Sequence, residues 1–567
     1  MREKDQRFLI SILTLAEGLA ALIFYFSFPS ENDRSGFLGF STARWLAGLA
    51  VFLLWTGFLI LTIRVRRWPP TLQKKSVIFR AWLAEGSRLH LLRLVLLAVL
   101  CACLEAFILT FLSLPFHLRP VIIWLGLIAI QALVYTHTAL PPPTPRRSFW
   151  ASLDKQQRSV FMLLLGLSLF FFMIIIPQNL RGAETPHIFN VAVNDENVTY
   201  VPLMWMFDTS GQPQEWFYRL IVYEDYHYGY PFYVISALVL LPNRLIFGPE
   251  FANQTQWNLL ILRQMVSSLP MLVSTLLLVW MFTRFQNRWK SLLLYLLILF
   301  IPNAASYHIR FWHPDGLVVL AVVLTLFYLQ RDNRRLGANF YLAAAACGLA
   351  SAVKLYGFFF GLVIPLYLLV SAISDRIPMR KWLAAATGFV MVMVITILLC
   401  SPFLGVPSAR ERMLQIQTEK TETIGQGYTQ NQPQEIYQTG LDAWLPFLED
   451  GFGPLAFQGF LLVSLAVAVW QNKERLLNLT TLVWFLSLGF YLVTFSAVKS
   501  EHYWLPAMLP LYGAALNLTS LPTIQSPSFL ARLKLNRVLA VLTVVLCLVV
   551  LVFNIYAARQ VFTNIIQ

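Results

Sequence analysis

Apolar residues run continuously for stretches of roughly twenty along most of the chain, which is the length of a helix crossing a bilayer. Hydropathy predicts about fifteen such spans. Four come first: 8–28, 40–63, 89–114 and 121–140. A fifth covers 159–177, and ten more fall at 259–282, 292–304, 316–329, 340–353, 356–373, 382–404, 452–470, 477–498, 503–521 and 538–557. The runs do not alternate apolar with polar, so a membrane β-barrel is excluded. The expectation is an all-α, polytopic integral membrane protein.

Two breaks interrupt this pattern, at 178–258 and 405–451, and both are too long and too polar for simple turns. Within the first, Pro231 to Phe247 is apolar but short and flanked by Pro and Tyr, so it reads as a helix lying at the interface. The run Pro141-Pro142-Pro143-Thr144-Pro145-Arg146-Arg147 cannot be helical and marks a linker. Four parts follow: a four-span module (1–140), a Pro-rich basic linker (141–158), a membrane core (159–521) and a C-terminal span (522–567). The basic N-terminus lacks a clear small-residue cleavage site and is read as a retained first span.

Composition sharpens this picture. Of the 567 residues, 57% are hydrophobic and 13% charged, too few charges for a soluble protein. The net charge of +15 would suggest nucleic acid in a soluble chain. Here the Lys and Arg residues collect in alternate loops, so they set topology instead. Clusters at 64–75, 146–158, 284–290, 331–335, 376–381, 473–475 and 532–537 share one face if the N-terminus is cytoplasmic and 231–247 does not cross. Both long loops then face outward. The five cysteines sit in apolar runs and form no ligand cluster.

The external loops hold the candidate chemistry. Asn194-Asp195-Glu196 offers two adjacent carboxylates, which suit a general base with a partner, or oxygen ligands for a divalent cation. Glu224, Asp225, His227 and Tyr230 cluster just before the interfacial segment, where tyrosines also serve as bilayer anchors. His308, Arg310, His313 and Asp315 fall within eight residues, with Asp315 opening a span where a helix N-terminus favours an anion. Lys354, Arg410, Arg412, Lys499 and His502 are cationic or basic groups on the face that positive charge normally avoids, and a lipid phosphate would explain them. Glu17 and Glu105 are intramembrane acids of the N-terminal module with no assigned role.

In order along 159–521, this pattern resembles the class C glycosyltransferases, polytopic membrane enzymes that use lipid-phosphate sugars and include aminoarabinose transferases and protein O-mannosyltransferases. The carriers are Asp195-Glu196, the Tyr230-Pro231-Phe232-Tyr233 segment, Phe247-Gly248 before Arg263, Arg310 to Asp315, Gly348 to Lys354, and Lys499 to Pro506. A single Pro231 stands where that family usually has two prolines. The resemblance implies Asp195 as catalytic base, with Glu196 and Asp315 assisting it or holding a cation such as magnesium or manganese. It implies Lys354, Lys499 and an arginine of the second long loop as holders of the donor phosphate. The implied reaction moves a sugar, with inversion, from a polyprenyl phosphate to an acceptor hydroxyl on a glycan, lipid or protein. The expected setting is the outer face of a bacterial plasma membrane, among membrane lipids and without nucleic acid. The alternatives are a multi-span transporter, whose ionisable groups would sit mid-span, and a non-catalytic lipid-binding protein.

Overall fold

The structure, a computed structural model, describes residues 153–563 except 192, 309–310, 428–437, 472–473 and 521–528, together with Leu46. The four-span module with Glu17 and Glu105, the Pro-rich run 141–147 and Arg310 lie outside the described residues. Every regular element among the described residues is a helix, in keeping with the all-α expectation.

The chain forms two compact units. The described part of the smaller comprises 205–224 and 398–413. In it Arg219 pairs with Asp208 at 3.2 Å, and the Tyr223 ring meets Phe403 edge-on.

The larger unit is a helix bundle. Its helices are α1 (Lys155–Ile174), α2 (Asn194–Met206), α3 (Tyr230–Phe247), α4 (Thr255–Thr283), α5 (Arg288–Leu299), α6 (Pro302–His308), α7 (Asp315–Asp332) and α8 (Ala338–Lys354). They continue with α9 (Val363–Asp375), α10 (Met379–Leu399, up to residue 397), α11 (Pro407–Gln426, from residue 414 on), α12 (Leu441–Phe452), α13 (Leu455–Trp470), α14 (Arg475–Phe495), α15 (Leu505–Gly513) and α16 (Phe529–Thr563). Seven helices among the described residues are long and apolar enough to cross a membrane, or nine if the bent pairs α5–α6 and α12–α13 each count as one span.

The direction of each helix follows from contacts at its ends. Gln157, in the first turn of α1, donates to the Arg284 carbonyl just past the end of α4, while Gln256, at the start of α4, donates to Leu180 beyond α1. The two helices are therefore antiparallel. At the Arg284 end, Gln330 of α7 donates to Met281, Arg334 meets Asp375 at 3.6 Å, and Glu474 meets Arg284 at 3.5 Å. The basic clusters of 284–290, 331–335 and 376–381 thus gather at one end of the bundle. Asp195, Tyr228 and His313 of the larger unit lie at the other.

α3 is apolar and 18 residues long, and it is anchored at three points along its length. Its start is fixed by the Gly229 N–H donating to Val353 at 3.0 Å. Its middle is held by the Trp312 indole donating to Ser236, and its end by Asn243 donating to Asn258. Gly229 is needed here because a Cβ would run into the Ala352 carbonyl oxygen.

α7 is buried on nearly every face, from Asp315 to Asp332. α8 packs closely on it through small residues, among them Ala343, Ala344, Cys347, Gly348 and Ala350. Close helix approach through small side chains is the packing mode available where lipid supplies no hydrophobic drive. These two helices carry Asp315 and Lys354 to the same point.

Candidate active site

The site begins at the first turn of α2, which opens with Asp195 and Glu196. Carboxylates are favoured there by the unpaired N–H groups of a helix start. Consecutive helix residues point about 100° apart, so one of the pair turns inward and the other outward. Glu196 is fully buried. Its Oε1 accepts from Arg263 Nε and from the Trp312 backbone N–H, each at 2.7 Å, and its Oε2 accepts from Arg263 Nη2 at 2.5 Å. Both oxygens are committed. Glu196, expected to assist catalysis or hold a cation, here neutralises a buried arginine.

Asp195 faces the other way, with 48% of its side chain accessible, so an incoming group can reach it. Its Oδ2 lies 4.0 Å from His313 Nε2.

His313 sits on the segment that leads into α7. Its backbone N–H donates to Ser267 Oγ at 3.1 Å, on a six-residue π-helical turn of α4, Arg263–Ser268. Gly316 lets α7 approach this turn, since a Cβ there would stand 2.9 Å from the Ser267 carbonyl oxygen. The imidazole is buried, with Nε2 sharing a 2.9 Å hydrogen bond with Tyr228 Oη and Nδ1 lying 3.1 Å from Asp315 Oδ2.

Asp315 is fully buried at the mouth of α7. Lys354, in the last turn of α8, meets its Oδ1 at 2.7 Å, and Tyr307 Oη donates to Oδ2 at 3.2 Å. His502 Nε2 stands 3.8 Å from the same Oδ2. Burial works against the charged carboxyl, but Lys354, followed by His313 and His502, outweighs it and holds Asp315 well below the ordinary carboxylate range. Burial pushes His313 and His502 down, and Lys354 adds to this against the pull of Asp315. The Lys354 ammonium also lies within 5.6–6.0 Å of the ring centres of Tyr228, Tyr356 and Tyr503.

A second lysine, which the sequence did not single out, completes the cluster. Lys420 of α11 donates to the His227 carbonyl at 2.7 Å and sits 5.2 Å from the centre of the Tyr228 ring. One turn earlier, Gln417 donates to the Tyr226 carbonyl. Burial pushes the Lys420 ammonium down to about 8, and repulsion from Lys354 adds to it. Asp195, Asp225 and Asp315 are all close enough to act on it in the opposite sense. Asp225 is buried, accepts from Tyr233 Oη, and takes Nδ1 of the exposed His227 at 2.7 Å. Tyr230 is half-buried at the start of α3.

The other expected residues lie elsewhere. The Lys499 ammonium donates to the carbonyls of Ser496, Ala497 and Gln438 and stacks 4.9 Å above Trp444. Three carbonyls thus take the donors of the ammonium that was expected at the phosphate. Arg410, Arg412 and Glu224 belong to the smaller unit, where Arg410 donates to the Leu404 carbonyl and Glu224 is exposed at a left-handed φ of 62°.

One group among the described residues has metal-ligand spacing: His313, Asp315 and His502 offer donor atoms within 4.8 Å of one another. Magnesium and manganese favour oxygen donors. Here two of three donors are imidazoles, and Lys354 already neutralises the single carboxylate. The group does not fit the expected hard cation.

Residues 257–496 match the model of glycosyltransferase family 87. The match takes in α4 through α14 almost completely, with His313, Asp315, Lys354 and Lys420 inside it and Asp195 and His502 outside. It bears out the likeness to membrane glycosyltransferases read from the sequence. Among solved structures, ArnT from Cupriavidus metallidurans bound to undecaprenyl phosphate is 14% identical, with 72% of this chain and 74% of that one covered at a TM-score of 0.43. The apo Archaeoglobus fulgidus oligosaccharyltransferase is 13% identical, with 73% of this chain and 56% of that one covered at 0.44. AglB from the same archaeon, in complex with an inhibitory peptide and a dolichol-phosphate, is 13% identical, with 71% and 56% covered at 0.42. This chain thus spans little more than half the length of the archaeal enzymes. No curated protein sequence matches it.

Proposed function

We propose that the protein transfers a sugar, with inversion, from a polyprenyl-phosphate donor to an acceptor hydroxyl at the outer face of the membrane. The observation that carries this reading is a reachable carboxylate, Asp195, set beside a buried group that holds two ammonium ions around one tyrosine. Asp195 Oδ2 takes the acceptor proton. The freed oxygen attacks the anomeric carbon, the bond from that carbon to the phosphate oxygen breaks, and its electron pair leaves with the polyprenyl phosphate. Lys420 and Lys354 stabilise the charge that develops there. A phosphate leaves as an anion, so no acid need protonate it, unlike the leaving group of a glycosidase. One in-line displacement inverts the anomeric centre.

His313 and Tyr228 bond one another, His313 beside Asp195 and Tyr228 beside both lysines. A transporter would hold its ionisable groups mid-span; here they gather at one end of the bundle. The basic clusters at the opposite end support a cytoplasmic assignment for that end, with the N-terminus on the same side and the site facing outward.

The test is a purified protein in lipid nanodiscs, supplied with a panel of polyprenyl-phosphate hexoses and pentoses, assayed for release of polyprenyl phosphate. Release should occur with at least one donor and fall by about 10²-fold or more in Asp195→Asn, which keeps shape and removes the base. Because Asp195 is half exposed, the variant should fold normally. Near-normal release by Asp195→Asn would remove the base assignment, and no release from any donor would remove the reading as a whole.

A further inference from the structure

We infer that Arg263 is a positioning residue that sets the gap between Asp195 and His313, an inference that rests on the reading of Asp195 as the base. Arg263 is buried, as is its partner Glu196. The guanidinium uses four of its five N–H groups. Nε and Nη2 fork onto Glu196, and Nη1 donates to the carbonyls of Asn179 at 2.8 Å and Arg181 at 2.7 Å. Glu196 Oε1 in turn accepts the Trp312 N–H. The bracket therefore grips the residue after Asp195 and the residue before His313. Neither the Asp195 carboxylate nor the His313 imidazole, which bonds Tyr228 instead, touches the fork, yet the residue next to each is tied to it.

The π-helical turn explains why one residue can reach both. The wide turn Arg263–Ser268 presents Arg263 to Glu196, Ser267 to His313 and Ser268 to the His308 carbonyl, the last at 2.7 Å. π-helical turns of this kind concentrate at functional sites. A fully desolvated ion pair is a poor source of net stability, and an apolar pair of similar volume is often as stable. What the pair gives that an apolar pair would not is fixed geometry, and about 1 Å of misplacement at a reacting centre can cost 10²-fold in rate.

The experiment separates positioning from stability. Arg263→Met alone strands a buried carboxylate and should lower the thermal midpoint. The double variant Arg263→Met with Glu196→Leu removes both charges and should recover most of that loss. In the double variant kcat should remain at least ~30-fold below wild type, with the donor KM within ~3-fold, because Lys354 and Lys420 are untouched. Amide hydrogen exchange should rise in 193–197 and 311–315 while the rest of α4 and α7 keeps its protection. This exchange readout does not depend on sugar transfer, so it stands even if the transferase reading fails. Unchanged exchange in both segments, or a kcat that recovers together with the thermal midpoint, would overturn the inference.

Discussion

The Lys354 ammonium lies 2.7 Å from Asp315 Oδ1, so the last turn of α8 is bound to the mouth of α7 by a buried ion pair. Asp315 is fully buried and the lysine side chain is only 10% accessible. Removing one member of such a pair leaves the other charge without compensation, at a cost of about 3–5 kcal/mol. Lys354→Met should therefore lower the unfolding free energy by about that much. The same variant should also weaken donor binding, since it removes one of the two ammonium groups beside Tyr228. Asp315→Asn frees Lys354 and should lower stability while keeping or raising donor affinity. Denaturant melts and donor titrations on the two variants check this, and equal loss of donor affinity in both would contradict the assignment of Lys354 to the phosphate.

The same ion pair bears on metal dependence. A divalent cation on His313, Asp315 and His502 would have to displace the Lys354 ammonium or sit against it. Prolonged treatment with a chelator should leave the transfer rate within about twofold of the untreated protein, since a 1.4 kcal/mol change would already be tenfold. A larger loss that returns on adding magnesium or manganese would show that the cluster rearranges around a cation.

Much of this was legible in the sequence, and the limits have physical causes. Twenty-residue apolar runs gave the helices, and the charge of the loops gave their relative direction. They also implied that α3 does not cross; α3 is long and apolar enough to do so, and it bonds at Val353, Trp312 and Asn258. Asp195 stood out in the first long loop, and His313, Asp315, Lys354 and His502 as polar groups at span ends, and the fold brings them together. Which of two adjacent carboxylates turns inward is decided by the partner it finds, and Arg263 lies 67 residues from Glu196. Lys499 looked like an external cation in search of an anion, but the open carbonyls at the end of α14 use its donors. Lys420 was hidden because Glu419 and Glu422 flank it, so it read as one more solvated ion-pair partner. Only the three-residue spacing of Gln417 and Lys420, which puts both on one helix face, marked them as a pair.

Sidedness can be tested at two exposed positions at opposite ends of the bundle. Asn194 opens α2 beside the site, and Asn333 follows α7 in a left-handed turn between basic residues. The five native cysteines, Cys101, Cys103, Cys347, Cys400 and Cys547, are first replaced by Ser or Ala, since Cys400 is only partly buried. With single cysteines placed by Asn194→Cys and Asn333→Cys, a membrane-impermeant maleimide added to intact cells should label the first and not the second. The reverse pattern would place the site at the cytoplasmic face and require a cytoplasmic donor.

The most specific pH signature belongs to Lys420. Its ammonium is pushed down to about 8, first by burial and then by Lys354, so it loses its proton within the range of an ordinary assay. A lysine is charged below its pKa. The anionic donor should therefore meet two ammonium groups below pH ~7 and only one as pH rises through ~8. A contact between charged groups is worth about 1.5–3 kcal/mol, or roughly ten- to a hundredfold in affinity. kcat/KM for the donor should then be flat below that range and fall on its alkaline side, because kcat/KM reports ionisations of the free enzyme. kcat should show a weaker limb, since bound phosphate holds the proton on Lys420. Lys420→Arg keeps a charge that does not titrate below pH ~12, so the alkaline limb should vanish. Lys420→Met should sit at the low plateau throughout and show no limb there. Donors that differ in sugar should share this profile, since the lysine acts on the phosphate they have in common. An unchanged alkaline limb in Lys420→Arg would assign that ionisation to another group and remove Lys420 from the phosphate site.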